Sequence, residues 1–554
     1  MAAAMEYRPA KLARFLLGPS SGYLVVRWIF LRALGLIYFS AFFSLAFQIR
    51  GLIGPRGILP AGGYLAAVAK ALGGLRFWYA PTLLWTGSGN QALELLCWAG
   101  MAASILAIVN FWPRLSFLGC LILYLSFVAA AQDFANYQSD GMLLAAGLLA
   151  LFFAPPGWWP GWGADHPPSR ASLYLLRWEW FRIYFESGFA KMAAHDPEWR
   201  NFTAMDRYYQ NGPLPTWIGW YAQHLPHWFQ AATVALILAV ELGLAWLLFL
   251  PRRFRISLFF VTTAVQIVII LTANYAFLNY LVLAEGFLLL DDRVLGCLLP
   301  KRLLSRQAPA AAAVTTQTPA VLSLGLEPAQ AGTPVPAPAA QGAARSRGWR
   351  NWLATGKLWL SGIVLGWIFY ATVALFIGGA LPLWPATVLS PFRFANLYGL
   401  FAVMTRNRYE IEFQGSGDGK TWVAYPFRYK PQDPSSPPGI YAPYQPRFDW
   451  NLWFASLGPW QESPFVLQVE ERLLENDPYV LDLFAGNPFA GKPPSEVRAM
   501  LWQYWFTTRA TKRATGRWWR RKLIGLYAPV IDRQPHGKFG VLQMPGGMIM
   551  QPYN

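Results

Sequence analysis

The chain has 554 residues, of which 55% are hydrophobic and only 13% charged, a balance that a soluble protein of this length does not present to water and that points to membrane insertion. Its formal net charge is +18, but the basic residues cluster beside apolar runs, where orientation in the bilayer and contact with anionic lipid account for them and no nucleic-acid partner is needed. Cys97, Cys120 and Cys297 are the only cysteines; they lie in or beside apolar runs without a CxxC or Cys/His neighbour, which argues against a disulfide framework, a zinc site and a thioredoxin-like motif.

Arg8, Lys11 and Arg14 precede an apolar run too long for a removed signal peptide and without a small-residue cleavage site, so residues 1–21 are expected as a cytoplasmic N-terminus leading into a retained span. With about twenty apolar residues per crossing, spans are expected near 22–47, 92–111, 115–131, 141–154, 171–193, 228–250, 256–273, 276–295 and 355–380. The fold class is therefore an α-helical polytopic membrane bundle of about nine transmembrane helices, eight of them within 22–300 and the ninth within 351–384, followed by a soluble β-rich α+β domain. The strongest basic clusters, at 8–14, 252–255, 301–306 and 345–350, all fall on one side if the N-terminus is cytoplasmic, and the C-terminal domain then lies on the periplasmic or lumenal side. Residues 301–350, dominated by Ala, Pro, Gln and Thr, read as a disordered linker.

The fifth span carries the densest chemistry. An ionisable group at membrane depth costs about 2.5–3.5 kcal/mol on insertion scales, and the stretch 175–191 holds Arg177, Glu179, Arg182, Glu186 and Lys191. At helical spacing Glu179, Arg182 and Glu186 share a face and can neutralise one another; Arg177 and Lys191 lie on roughly the opposite face. Glu241 in the sixth span is a candidate partner for Arg182, and Asn274 and Asn279 between spans seven and eight are polar groups that need hydrogen bonds at that depth; Gln138 and Asp140 precede the fourth span. Lys191 is read in two ways: it snorkels to the outer interface, or it faces a cavity whose dryness makes it a base.

The loop 195–227 is long, polar and aromatic, with Asp196, Trp199, Arg200 and Asn201 as candidates for contact with a partner. Asn201-Phe-Thr203 is a glycosylation sequon only in a eukaryotic lumen. His195, His224 and His227 lack a metal-ligand spacing, so no metal and no cofactor is expected. No nucleophile elbow, phosphate loop or dinucleotide fingerprint is present in the sequence, and no internal repeat supports a transporter.

Within 385–530 the alternation in 408–413 and the glycines of 415–419 predict a hairpin of a half-buried strand with 420–425, the two glutamates facing away from the apolar side. Segments 463–475 and 494–504 read as helices, the second capped by Ser495. Residues 531–554 are a tail. Near the end of the domain Arg509, Lys512, Arg513, Arg517, Arg520, Arg521 and Lys522 interleave with Trp518 and Trp519, a composition that suits anionic headgroups as well as a solvated basic face.

The stretches Arg182 to Lys191, 196–204, Pro213-Leu-Pro215, 274–279, Gln445-Pro-Arg-Phe-Asp449 with Trp450-Asn-Leu-Trp453, Asn487-Pro-Phe489 and 516–521 resemble the lipase maturation factor family over nearly the whole chain. That resemblance implies a membrane-bound folding or assembly factor whose clients in vertebrates are secreted dimeric lipases matured in the endoplasmic reticulum. Asp449, Trp450 and Trp453 then join the loop as client-facing candidates, with core packing as the stronger reading of the two tryptophans. Two departures stand out: Tyr137-Gln-Ser-Asp140 and Leu143-Leu-Ala145 replace Phe-Gln-Trp-Asp and Leu-Leu-Leu-Glu, and Tyr208 and Gln210 stand where the pattern has His and Glu. Residues 185–191 with Trp199 are also similar to a short stretch of the vitamin K-dependent gamma-carboxylase, whose aligned lysine is the base. The expected function is maturation of a client protein, with membrane lipids as further partners; the alternative is a quinone- or lipid-modifying membrane enzyme with Lys191 as catalytic base.

Overall fold

The computed structural model describes residues 15–298, 341–378, 380–535 and 538–546. Its N-terminal part is helical: α1 Leu24–Ala46, α2 Asn90–Ile108, α3 Pro113–Val128, α4 Gln138–Phe153, α5 Arg170–Ala193, α6 His227–Leu238, α7 Arg252–Thr272, α8 Leu278–Gly286 and α9 Gln341–Ile377. Among the described residues five helical segments are long and apolar enough to cross a membrane, namely α1, α2, His227–Phe249, α7 and Trp359–Ile377 of α9. The helices α3 and α4 and the segment Leu278–Leu289 are apolar but shorter, and α5 is long but charged. The expected linker lies largely outside the described residues, although α9 begins at Gln341, inside its C-terminal end.

The helices pack in chain order, α1 on α2, α2 on α3, α3 on α4, and α5 between α4, the sixth-span segment, α8 and α9. A side chain at Gly100 would overlap the Phe42 ring, so the absence of a Cβ sets how closely α2 approaches α1. The eighth segment is not the single helix expected over 276–295. It breaks after Gly286 into a tight turn, Phe287–Leu289, and Asp292 starts a new short helix while its carboxylate accepts from the amides of Leu24 at 2.7 Å and Val25 at 2.9 Å. An acidic residue thus caps the otherwise unpaired N-terminus of α1.

The C-terminal part is built on an antiparallel sheet of β1 Arg408–Ser416, β2 Trp422–Ala424, β3 Glu496–Phe506, β4 Trp519–Leu526, β5 Val530–Arg533 and β6 Phe539–Gln543, in the order β2-β1-β3-β5-β6 with β4 also on β3. The expected hairpin is present, Gly419 supplying its positive φ of 70° and Ser416 pairing with Trp422. The helices α10 Arg447–Ala455 and α11 Phe465–Leu474 pack against the sheet. The sheet continues past residue 530 through β5 and β6.

The segment 494–504 is not a helix but the central strand β3, and Ser495 caps nothing: its amide and hydroxyl donate to Ser416 O at 2.8 and 3.0 Å. Its good helix formers are overridden because Val497, Ala499 and Leu501 alternate onto the core side and β1, β4 and β5 all pair with it. Strand β1 is buried on both faces, not half-buried. Glu410 and Glu412 are turned from Ile411 and Phe413 but covered, Glu410 paired with Arg408 and with Lys430 at 2.9 Å, Glu412 with Arg521 at 3.0 Å.

The two parts are joined by a buried ion pair. Arg447, at the start of α10, inserts between α3 and α4 and holds Asp140 through two hydrogen bonds of 2.7 and 2.9 Å, with Tyr124 donating to the same carboxylate at 2.6 Å and Phe134 O accepting from the guanidinium at 2.6 Å. Both side chains are essentially inaccessible to solvent. Around the pair Tyr137 donates to Asn451 at 2.7 Å, and Gln48 of the α1 end receives the Arg447 amide at 2.8 Å and donates to Gln445 O at 2.9 Å. Trp450 and Trp453, for which core packing stood beside the client-facing reading, are 6% and 7% exposed and pack inside. Asp449 is also buried and accepts the Lys430 amide at 3.2 Å.

Arg447→Met leaves Asp140 buried without its cation and lowers stability by about 3–5 kcal/mol, read as an earlier unfolding midpoint, and adding Asp140→Asn recovers part of the loss. Burial pushes the Asp449 carboxyl up from 3.8 to about 7, against the opposing pull of Lys430. The folded domain then holds a proton that the unfolded chain releases, so its stability declines as pH rises from about 4 to about 7. Asp449→Asn keeps an oxygen for the Lys430 amide and flattens that decline, measured as the difference in Tm between variant and wild type across the same pH range.

Candidate functional site

Helix α5 begins at Ser169, whose hydroxyl accepts from the Ser172 amide at 3.1 Å. Fourteen of its residues are buried, among them Glu179, Arg182, Glu186 and Lys191. What covers them is the connector between the short helix Trp384–Leu389 and β1. Residues 394–407 of that connector lie in no helix or strand, so their backbone groups need partners from outside the segment. The ionisable side chains of α5 are those partners.

The row of contacts follows the helix. Arg182 donates to Asn396 O at 2.7 Å, Glu186 accepts the Tyr398 amide at 2.8 Å, and Lys191 donates to Leu400 O at 2.9 Å. Ser187 accepts the Leu400 amide at 3.4 Å, and from the neighbouring α4 Gln138 accepts the Gly399 amide at 3.1 Å. Beyond the helix end Trp199 donates from its indole to Phe401 O at 2.9 Å, Asp196 accepts the Met404 amide at 2.6 Å, and Asn211 donates to Thr405 O at 2.6 Å. Arg408 finishes the row, donating to the carbonyls of Gln210, Gly212 and Pro213.

The charge pairing differs from the expected one. Arg182 meets Glu186 at 3.4 Å, but Glu179 accepts instead from the Tyr398 hydroxyl at 2.9 Å. Glu241 is the partner of Lys191, at 2.9 Å, and not of Arg182. The reason is local: Glu241 sits in a wide π-type turn, Ala239–Gly243, that interrupts the sixth span, and Gly188 of α5 offers it space, since a Cβ there would come within 2.7 Å of the Glu241 Cβ. The Lys191 ammonium, 2% exposed, thus donates to Glu241 and Leu400 O, with Ser187 O at 3.5 Å and the Trp199 ring centroid at 5.0 Å. Its close neighbours are therefore protein groups, two of them at 2.9 Å.

The remaining candidates divide between joint and surface. Arg177 donates to Leu288 O at 2.8 Å and stacks on Tyr23, fixing the opposite end of α5. Asn274 is a second joint to the C-terminal part: it donates to Leu214 O at 3.1 Å and Gly439 O at 2.9 Å and accepts the Tyr441 amide at 2.7 Å. Asn279 lies inside α8, not in the turn, and donates to Gln266, which donates to Tyr184. Asp196 and Trp199 are buried, whereas Arg200 and Asn201 are exposed. Among the described residues no group of three or more His, Cys, Asp or Glu is placed to hold a metal ion.

Several residues of this joint were not singled out from sequence. Tyr398 carries no local pattern, Arg408 was visible only as the start of the alternating stretch 408–413, and Arg447 only as part of a quoted motif. Glu285 is wholly buried on α8 with neither carboxylate oxygen hydrogen-bonded among the described residues. The departing residue Gln210 belongs to the joint too, accepting the Phe506 amide at 2.8 Å, and Tyr208 is buried beside it.

Two family models match this chain, the lipase maturation factor transmembrane domain over residues 25–297 and the lipase maturation factor C-terminal domain over residues 394–529. The second begins within the connector that α5 holds. Similar curated proteins include lipase maturation factor 2 of Gallus gallus, 33% identical over 91% of this chain and 81% of that protein, and lipase maturation factor 1 of Bos taurus, 30% identical over 98% and 94%. Lipase maturation factor 1 of Mus musculus is 32% identical over 91% of this chain and 87% of its own length. No solved structure matches. With identity at this level running through both modules and the connector between them, the chain belongs to the lipase maturation factor family.

Proposed function

We propose that this chain is a membrane-bound maturation factor that helps a client protein, a lipase as in the names of its relatives, reach its folded or assembled state. The observation that carries the reading is the match to those relatives across both modules. The geometry supports it: the intramembrane charges hold the C-terminal domain against the bundle, which suits a fixed platform facing a client rather than a reaction centre. The engagement of Lys191 by Glu241, Leu400 O and Ser187 O speaks against its use as a base.

With Asp196, Trp199, Asp449, Trp450 and Trp453 inside, the surface left for a client is Arg200, Asn201 and Phe202 on the loop, and the outer strands of the sheet. There Leu523, Ile524, Val541, Leu542 and Met544 are 40% to 59% exposed, more apolar surface than a solvated edge needs. We place the N-terminus in the cytoplasm and the C-terminal domain in the lumen of the endoplasmic reticulum, or in the periplasm of a bacterium. In this arrangement the short helices α3, α4 and Leu278–Leu289 and the charged α5 cross within the protein alongside the five long apolar segments, about nine crossings in all. Glycosylation-site scanning reports the side of each loop, and a modified site in 250–255 would overturn the orientation.

Lys191→Met is expected to lower the yield of folded protein, while each folded molecule matures client as well as wild type does, measured as secreted lipase activity per folded factor in a co-expression assay. A folded variant with no activity would instead restore the enzyme reading. Leu523→Asp with Val541→Asp is expected to leave Tm unchanged and reduce client maturation about tenfold, the loss of roughly 1.4 kcal/mol of client binding.

A further inference from the structure

Residues 497–531 contain eight Lys or Arg and neither Asp nor Glu. The maturation reading does not use this charge, and the fold gives it a definite place. The short helix Arg509–Thr515, between β3 and β4, rests on the short helix Trp217–Gln223, which leads directly into the apolar segment His227–Phe249. The contacts are specific: His224 Nε2 lies 2.9 Å from Thr507 O, Arg509 donates to His224 O at 3.4 Å, and Lys512 donates to the Tyr221 hydroxyl at 3.2 Å. The Lys512 ammonium also sits 3.3 Å from the Trp518 ring centroid, and Trp518 packs on Trp220 at 5.4 Å.

The surface around this contact is what a protein presents at the headgroup layer. Trp217, Tyr221, Leu225, Trp228 and Phe229 are 37% to 70% exposed, an aromatic belt at the start of an apolar segment long enough to cross the bilayer. Beside it Arg509, Arg513, Arg517, Arg520 and Lys522 are exposed. A cleft of about 440 Å³ opens among them, lined by Thr511, Thr515, Arg517 and Arg520 with Trp502 at its wall. Three acids border the face: Asp206 meets His227 at 2.8 Å, Glu412 pairs with Arg521 at 3.0 Å, and Asp433, at the cleft wall, accepts the Ser435 amide at 2.9 Å.

From the juxtaposition of this predominantly basic face with the aromatic belt, we propose that residues 509–522, Arg521 aside, form a binding surface for anionic phospholipid headgroups of the membrane the chain itself crosses. The belt fixes the depth of the protein and the arginines recognise the phosphates, with guanidinium forks suited to bidentate contact. The domain is thereby held to the bilayer itself, besides its joints to the bundle at the connector, Arg447 and Asn274. This inference does not depend on which client, or whether any, is matured.

The test uses the full-length protein in mild detergent, titrated with short-chain phosphatidylglycerol, short-chain phosphatidylcholine and inorganic phosphate, with Tm as readout. Phosphatidylglycerol is expected to raise Tm saturably and phosphatidylcholine is not. The variant Arg513→Gln, Arg517→Gln, Lys522→Gln, all at exposed positions, is expected to keep its lipid-free Tm and to need roughly fivefold more phosphatidylglycerol per charge removed. Equal responses to the two lipids, an unchanged response in the variant, or full saturation by inorganic phosphate alone would each overturn the proposal. So would a variant that keeps its lipid response while losing an acidic client, which would assign the face to protein. Should the variant fold poorly, lysine labelling of wild-type Lys512 and Lys522 in nanodiscs decides: protection with phosphatidylglycerol over phosphatidylcholine alone is expected, and equal labelling refutes it.

Discussion

A stretch of backbone without helix or strand, lying against a helix inside a membrane protein, must find most of its hydrogen bonds in its neighbours. Residues 394–407 are such a stretch, and α5 is the neighbour. The rest of the arrangement follows from that need. Ionisable groups that would be costly on a lipid-facing helix become affordable once Arg182, Glu186 and Lys191 each hold a backbone group of the connector and Glu241 supplies the countercharge for Lys191. The charges are thus the means by which the bundle holds the C-terminal domain, and Arg447 with Asp140 repeats the same device from the domain's side.

Two features make this joint specific rather than merely attractive. A buried pair such as Arg447 with Asp140 gains little over a well-packed apolar contact, but it penalises every arrangement in which either member is left alone. The domain is then directed to one position on the bundle. The joint at Asn274 works in the same sense, since one amide side chain satisfies groups on both modules at once. A platform held in one orientation is what a factor that engages a folding client requires, and the exposed apolar residues of β4 and β6 lie at the far side of the sheet order from β2.

Much of the helical architecture was legible because a run of some twenty apolar residues admits few other readings in a membrane. The hairpin of β1 and β2 was legible for a different reason, the glycine turn between alternating strands. The α5 charges announced themselves by their cost. Their partners did not, because Asn396, Tyr398 and Leu400 lie more than two hundred residues away and contribute mostly backbone, which carries no sequence signal. Glu241 was assigned to Arg182 on charge alone, and the π-type turn that sends it to Lys191 has no local signature. The strand β3 misled through its helix formers, since its identity is decided by β1, β4 and β5 from outside the segment.

The claim at the centre of this account is that α5 and Asp196 hold the connector's backbone. Hydrogen exchange at the amides of Tyr398, Leu400 and Met404 in the detergent-solubilised full chain tests it most directly, because each is bonded to a side chain of that row. The account predicts exchange as slow as in the paired strands β1 and β3, and faster exchange at Tyr398 in Glu186→Ala. Exchange of all three amides at the rate of an open loop in the wild-type protein would contradict it.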